Sequence, residues 1–173
     1  MQLHALAKYV YALRPPENPN LPKTDEDRKR AARGEAVFDR LRCARCHAGD
    51  RYTNNKLTPV DGFTVLGQHR EQYDILEESV GTDPTLALGT RRGTGYYKVP
   101  SLKGVWYRGP FEHNGSVATL EDWFDPRRLR SEYVPTGWKG PAGTTTRAVP
   151  GHRFGLNVSP EDRTALIAFL KTL

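Results

Sequence analysis

Leu3, Leu6, Val10 and Leu13 recur at i, i+3, i+7 and i+10, the spacing of one helix face, and the run stops at Pro15-Pro16. The pattern predicts an amphipathic helix over residues 1–13. From Arg14 to Lys23 four of ten residues are proline, which reads as a stiff linker. A second helix is expected from about 25 to 42: Thr24 and Asp27 make a capping box, and Val37, Phe38 and Leu41 form an apolar stripe. Toward the C-terminus, Ser159 caps a last helix with Pro160 in its first position and Glu161 and Asp162 at its positive end. Leu166, Ile167, Leu170 and Leu173 are its inward face. Shorter helices are expected near 71–80 and 119–124, with Gly-, Pro- and Thr-rich loops at 89–95 and 134–151. There is no internal repeat and no convincing set of β-hairpins, so the expected class is all-α with long irregular loops, one packed unit spanning 24–173.

The second helix ends where the chain carries its chemistry. Residues 43–47 read Cys43-Ala44-Arg45-Cys46-His47 and hold both cysteines of the chain. This is the CxxCH pattern of covalent c-type haem attachment: two thiols on one turn add to two vinyl groups, and the adjacent imidazole reaches the iron as proximal ligand. A zinc site would need a second ligand pair, and a thioredoxin-like dithiol would be expected beside a βαβ pattern. Neither accompanies the motif. The expected cofactor is therefore one covalently attached haem c, with Cys43, Cys46 and His47 binding it.

Composition changes this picture in three ways. The apolar fraction of 37% is low for 173 residues, and 16 Gly with 13 Pro imply much irregular chain, so the core is expected to need the porphyrin. The formal net charge of +6 favours steering toward an acidic redox partner over nucleic-acid binding, because the basic residues are dispersed and no nucleic-acid motif accompanies them. Arg28, Lys29, Arg30 and Arg33 form the densest run and read as the solvated face of the second helix. No stretch approaches the roughly 18 apolar residues of a membrane span, and the N-terminus lacks the pattern of an export signal. Haem attachment of this kind takes place outside the cytoplasm, so a periplasmic or otherwise extracytoplasmic location is expected, with the leader outside this chain.

Gly34, Phe38 and Cys43 reproduce a GxxxFxxxxC run that resembles the approach to the haem site in many cytochrome c domains. Further on, Gly81-Thr82-Asp83, Tyr97-Lys98-Val99-Pro100-Ser101-Leu102, Pro110-Phe111-Glu112-His113-Asn114-Gly115 and Thr119-Leu120-Glu121-Asp122-Trp123 resemble signatures of the di-haem cytochrome c peroxidase superfamily. Trp106-Tyr107-Arg108, Phe124-Asp125-Pro126 and Gly151-His152-Arg153-Phe154-Gly155 are similar to its rubber-oxygenase-like branch. The resemblance covers most of residues 26–173. It implies a cytochrome c-like fold and the C-terminal haem domain of a protein that carries two haems, and the opening helix resembles the last helix of a preceding haem domain. In the peroxidases a methionine ligand follows the PxxH histidine by fourteen residues; that position is Arg127 here.

Met1 is the only methionine, so the sixth iron ligand is expected from elsewhere, with imidazole the natural replacement. His152 is the first candidate, because the glycines around it let a loop reach the distal face. His113 and His69 follow; the first is better read as organising the haem environment, and His4 is expected to be exposed. Tyr96, Tyr97 and Tyr107 are phenolic candidates, although packing on the porphyrin is the commoner role. Trp106, Trp123 and Trp138 suggest an electron relay or, more simply, aromatic packing. Arg108, Arg127 and Arg128 are candidate propionate partners.

The leading expectation is a mono-haem c-type cytochrome domain for single-electron transfer, with His47 and His152 on the iron and no catalytic residue. Its partner would be an acidic redox protein or a missing N-terminal haem domain. The alternative is a peroxidase or oxygenase haem domain with an open or displaceable sixth position, where Glu112 or His113 would assist proton movement.

Overall fold

The computed structural model describes residues 2–89 and 93–173. Met1 and residues 90–92 of the expected 89–95 loop lie outside the described residues. Six α-helices follow in chain order: α1 (Gln2–Ala12), α2 (Asp25–Arg40), α3 (Gly67–Gln72), α4 (Thr85–Gly89), α5 (Leu120–Trp123) and α6 (Pro160–Lys171). Two short strands, β1 (Leu57–Pro59) and β2 (Tyr96–Lys98), pair antiparallel with Leu57 opposite Lys98 and Pro59 opposite Tyr96. Cys43–Arg45 and Pro126–Leu129 form 3₁₀ turns.

The frame is the crossing of α2 and α6. Thr24 accepts from the Asp27 amide while the Asp27 side chain accepts from the Thr24 amide, so the capping box closes α2 as its sequence predicts. Ser159 accepts from the Asp162 amide and Pro160 opens α6. Gly34 sits where the helices touch, and a Cβ there would overlap the Ala165 carbonyl. The glycine of the GxxxF run is thus a backbone contact point, and Phe38 one turn later packs edge-on against Phe169 at 5.4 Å. Val37 and Phe38 meet Leu166, Ile167, Phe169 and Leu170 in a core that extends to Val105, Leu120 and Phe124. Outside it, Arg33 and Arg40 both bind Asp162 in the first turn of α6, at 2.7 and 2.5 Å.

The all-α expectation needs correction in one respect, the β1–β2 pair. It joins segments almost forty residues apart and therefore leaves no hairpin signal in the sequence. The helix expected near 71–80 is also absent. The helical turn lies earlier, at Gly67–Gln72, and Ile75 instead forms a parallel bridge with Leu57. Leu57 N–H donates to Asp74 O and Leu76 N–H to Leu57 O, so non-local pairing displaces local helix preference. The expectation for 119–124 matches α5.

Residues 3–14 are exposed throughout; Leu3 and Tyr11 keep 81% and 88% of their surface. In the linker, the Asn18 side chain donates to Lys171 O at the end of α6. No helix among the described residues is long and apolar enough to cross a membrane.

Candidate haem site

Leu41 ends α2, and Arg42 turns the chain with a left-handed backbone of φ 60°. That reversal delivers Cys43–Arg45 as a 3₁₀ turn against the α2–α6 core. The amides of Cys46 and His47 both donate to Cys43 O, at 3.2 and 2.9 Å, so the pentapeptide closes on itself. Both cysteines are free thiols and partly exposed. Burial pushes the Cys43 thiol up to about 11 and raises that of Cys46. They are protonated at neutral pH, unlike the activated thiolate of a redox dithiol.

The following loop folds back over the turn. Asn54 N–H donates to Cys46 O at 2.7 Å, and Thr53 N–H donates to Ala48 O. The Tyr52 ring enters the core edge-on against Phe38 and Phe169, which carries its carbonyl to His47. His47 Nδ1 donates to Tyr52 O at 3.2 Å. That bond orients the ring, the way metal-binding histidines are commonly held. Burial lowers the His47 pKa, which keeps the ring neutral.

Across from His47 stands His152, 105 residues on, with ring centroids 6.5 Å apart and planes at 59°. The two imidazoles are too far apart to bond each other. Two imidazoles on opposite sides of one metal ion, each about 2 Å from it, have centroids roughly 6 Å apart. His152 lies among Trp123 (5.3 Å, edge-on) and Phe154 (5.7 Å), and its Nδ1 is buried with no hydrogen-bond partner. Burial, then His47 and Arg128, push its pKa down to about 4, so it too is neutral at pH 7. Two imidazoles at this spacing, one with an unpartnered buried nitrogen, are compatible with a metal ion held between them. The residues present fit a haem c, which Cys43 and Cys46 would tether and His47 and His152 would hold. Among the described residues no group of three or more His, Cys, Asp and Glu gathers to hold a metal ion by itself.

The other candidates lie elsewhere. His113 stacks on Tyr97 at 5.1 Å, with its Nε2 3.9 Å from Asp83, and Tyr97 donates to Asp83 O. His69 stacks on Phe63 and shares a hydrogen bond with the Tyr96 hydroxyl at 3.0 Å. His4 is on exposed α1. Of the tryptophans, Trp123 touches His152, whereas Trp106 packs on Tyr107 and Trp138 is half exposed beneath Arg147.

The three candidate propionate arginines divide as well. Arg127 is 74% exposed and paired with Asp125, and Arg108 donates to the carbonyls of Ser101 and Lys103. Arg128 has no exposed surface and donates only to main-chain carbonyls, one of them that of His152. Its inward position gives no periodic signal in an irregular stretch and was not legible in the sequence.

Known proteins resemble this sequence. Residues 95–136 match the family described as RoxA-like, cytochrome c-like. The uncharacterized protein y4iJ of Sinorhizobium fredii is 31% identical over 105 residues, covering 44% of this chain and 18% of that protein. The methylamine utilization protein MauG of Methylorubrum extorquens is 27% identical over 144 residues, covering 83% of this chain and 34% of MauG. The chain thus spans well under two thirds of either relative. These matches support a cytochrome c-like, haem-binding redox domain, similar over residues 95–136 to the RoxA-like family and more weakly to MauG.

Proposed function

We propose that this domain transfers single electrons through one covalently held haem ligated by His47 and His152. The observation that carries the reading is the facing pair of neutral imidazoles 6.5 Å apart, one with its Nδ1 committed to Tyr52 O and the other with an unpartnered buried Nδ1. The haem, when bound, supplies the one-electron Fe(III)/Fe(II) couple. The protein supplies the rest. Cys43 and Cys46 tether the group by adding S–H across its vinyl double bonds, with no oxidant required. His47 is oriented by the Tyr52 carbonyl, and Trp123 and Phe154 pack around the His152 ring. Two imidazoles and no methionine favour a lower potential than His/Met ligation gives.

The partner is an acidic redox protein or a haem domain carried in the same polypeptide, and the compartment is extracytoplasmic, where haem c is attached. A net charge of +6 supports the first through long-range steering, and the greater length of the relatives supports the second.

The test is the absorption spectrum of protein matured in an exporting host, oxidised and dithionite-reduced, with and without CO. A low-spin spectrum indifferent to CO is expected, and His152→Ala should convert it to a high-spin, CO-binding form. A wild-type iron that is high-spin or binds CO would instead favour a peroxidase or oxygenase domain with an open sixth position. A low-spin, CO-indifferent His152→Ala variant would remove His152 from the iron.

A further inference from the structure

We propose that Arg128 is a positioning residue for the distal ligand, a buried strut that sets how tightly His152 is held against the iron. This inference rests on His152 being that ligand. Asp125 caps the 3₁₀ turn Pro126–Leu129 by accepting from the Arg127 amide, and the turn sends Arg127 outward and Arg128 inward. The Arg128 guanidinium, with no exposed surface, then reaches three separate places. Nε donates to Trp123 O at 2.8 Å, Nη1 to Val149 O at 2.8 Å and Nη2 to His152 O at 2.9 Å. Val149 N–H returns a bond to Arg128 O at 2.6 Å.

The cation also lies 4.5 Å over the Trp123 ring, and that ring meets the His152 imidazole edge-on at 5.3 Å. Arg128 therefore holds the histidine twice, at its carbonyl and through the indole against its side chain. Gly151 leaves the room for this: a Cβ there would come within 2.5 Å of Glu112 Oε1 and 3.3 Å of Arg128 Nη1.

The chemistry selects arginine. Three carbonyls from two stretches of chain surround one planar fork, and each hydrogen bond is charge-assisted at a fully buried guanidinium. Lysine carries the same charge on a single nitrogen and cannot span all three acceptors.

The test compares Arg128→Lys and Arg128→Met with wild type and His152→Ala, all as holoprotein, by ferric spin state and by CO binding to the reduced form. Loosening a ligand held by charge-assisted bonds should raise CO affinity roughly 10- to 100-fold in Arg128→Lys. Arg128→Met should approach the high-spin, CO-binding behaviour of His152→Ala. Arginine variants within twofold of wild type, beside a CO-binding His152→Ala, would overturn the strut while leaving the ligand assignment intact. A His152→Ala variant that stays low-spin and indifferent to CO would overturn both. Failure of both arginine variants to yield holoprotein would also overturn the proposal, since Arg128 would then determine the fold and not one ligand.

Discussion

Glu112 is held with a left-handed backbone of φ 69° and with Oε1 buried beyond any hydrogen-bond partner. Burial raises its pKa to about 7, against the partial compensation of Arg128. The sign of the consequence is fixed by linkage. Between the ordinary carboxylate value and about pH 7 the folded protein binds more protons than the unfolded chain, so stability falls as pH rises through that window and levels off above it. The total is at most about 3 kcal/mol. Glu112→Gln should flatten the curve of unfolding free energy against pH and stabilise the protein at pH 8; a variant whose stability falls as steeply as wild type would refute this. Single residues also show where sequence reading succeeds. Cys43, Cys46 and His47 lie within five positions, so their chemistry is written locally. His152 was singled out by the glycines beside it and the lack of methionine, but its approach to His47 depends on tertiary contacts. The burial of Glu112 and Arg128 and the partners of their side chains could not be deduced from an irregular stretch.

Helices that begin with a side-chain cap and bury a regular stripe were legible from the sequence, as α2 and α6 show. The segment Tyr73–Ser79 was not, since its conformation is set by the bridge to Leu57 and by ion pairs of Glu77 with Arg70 and Glu78 with Arg45. The contact between the two long helices yields the clearest prediction at this level. Gly34→Ala places a methyl group on the Ala165 carbonyl and close to Phe169 Cβ, so the helices must separate or shift. Overpacking of this kind costs about 1–3 kcal/mol or more. Thermal unfolding of the holoprotein should show a clear fall in Tm, whereas an unchanged Tm would mean that α2 and α6 adjust freely. The same crossing carries the 3₁₀ turn of Cys43–Arg45, so a shift there should also broaden the haem absorption bands.

The whole molecule is a haem domain with a helix standing outside it. Leu3, Leu6 and Val10 remain more than half exposed, and no residue of 3–14 is buried. Removing residues 1–13 should leave Tm and the haem spectrum unchanged; a fall in Tm would show that α1 supports the fold. The placement of the axial histidines has a consequence of its own. His47 is fixed by neighbours close in sequence, whereas His152 belongs to loops that close late in the chain. With a haem tethered at Cys43 and Cys46, a bond from its iron to His152 would close a loop of 105 residues. In the chain-entropy account a cross-link around a loop of about 100 residues contributes nearly 5 kcal/mol. The iron would then act as a stitch between the two halves of the polypeptide, comparable to a disulfide.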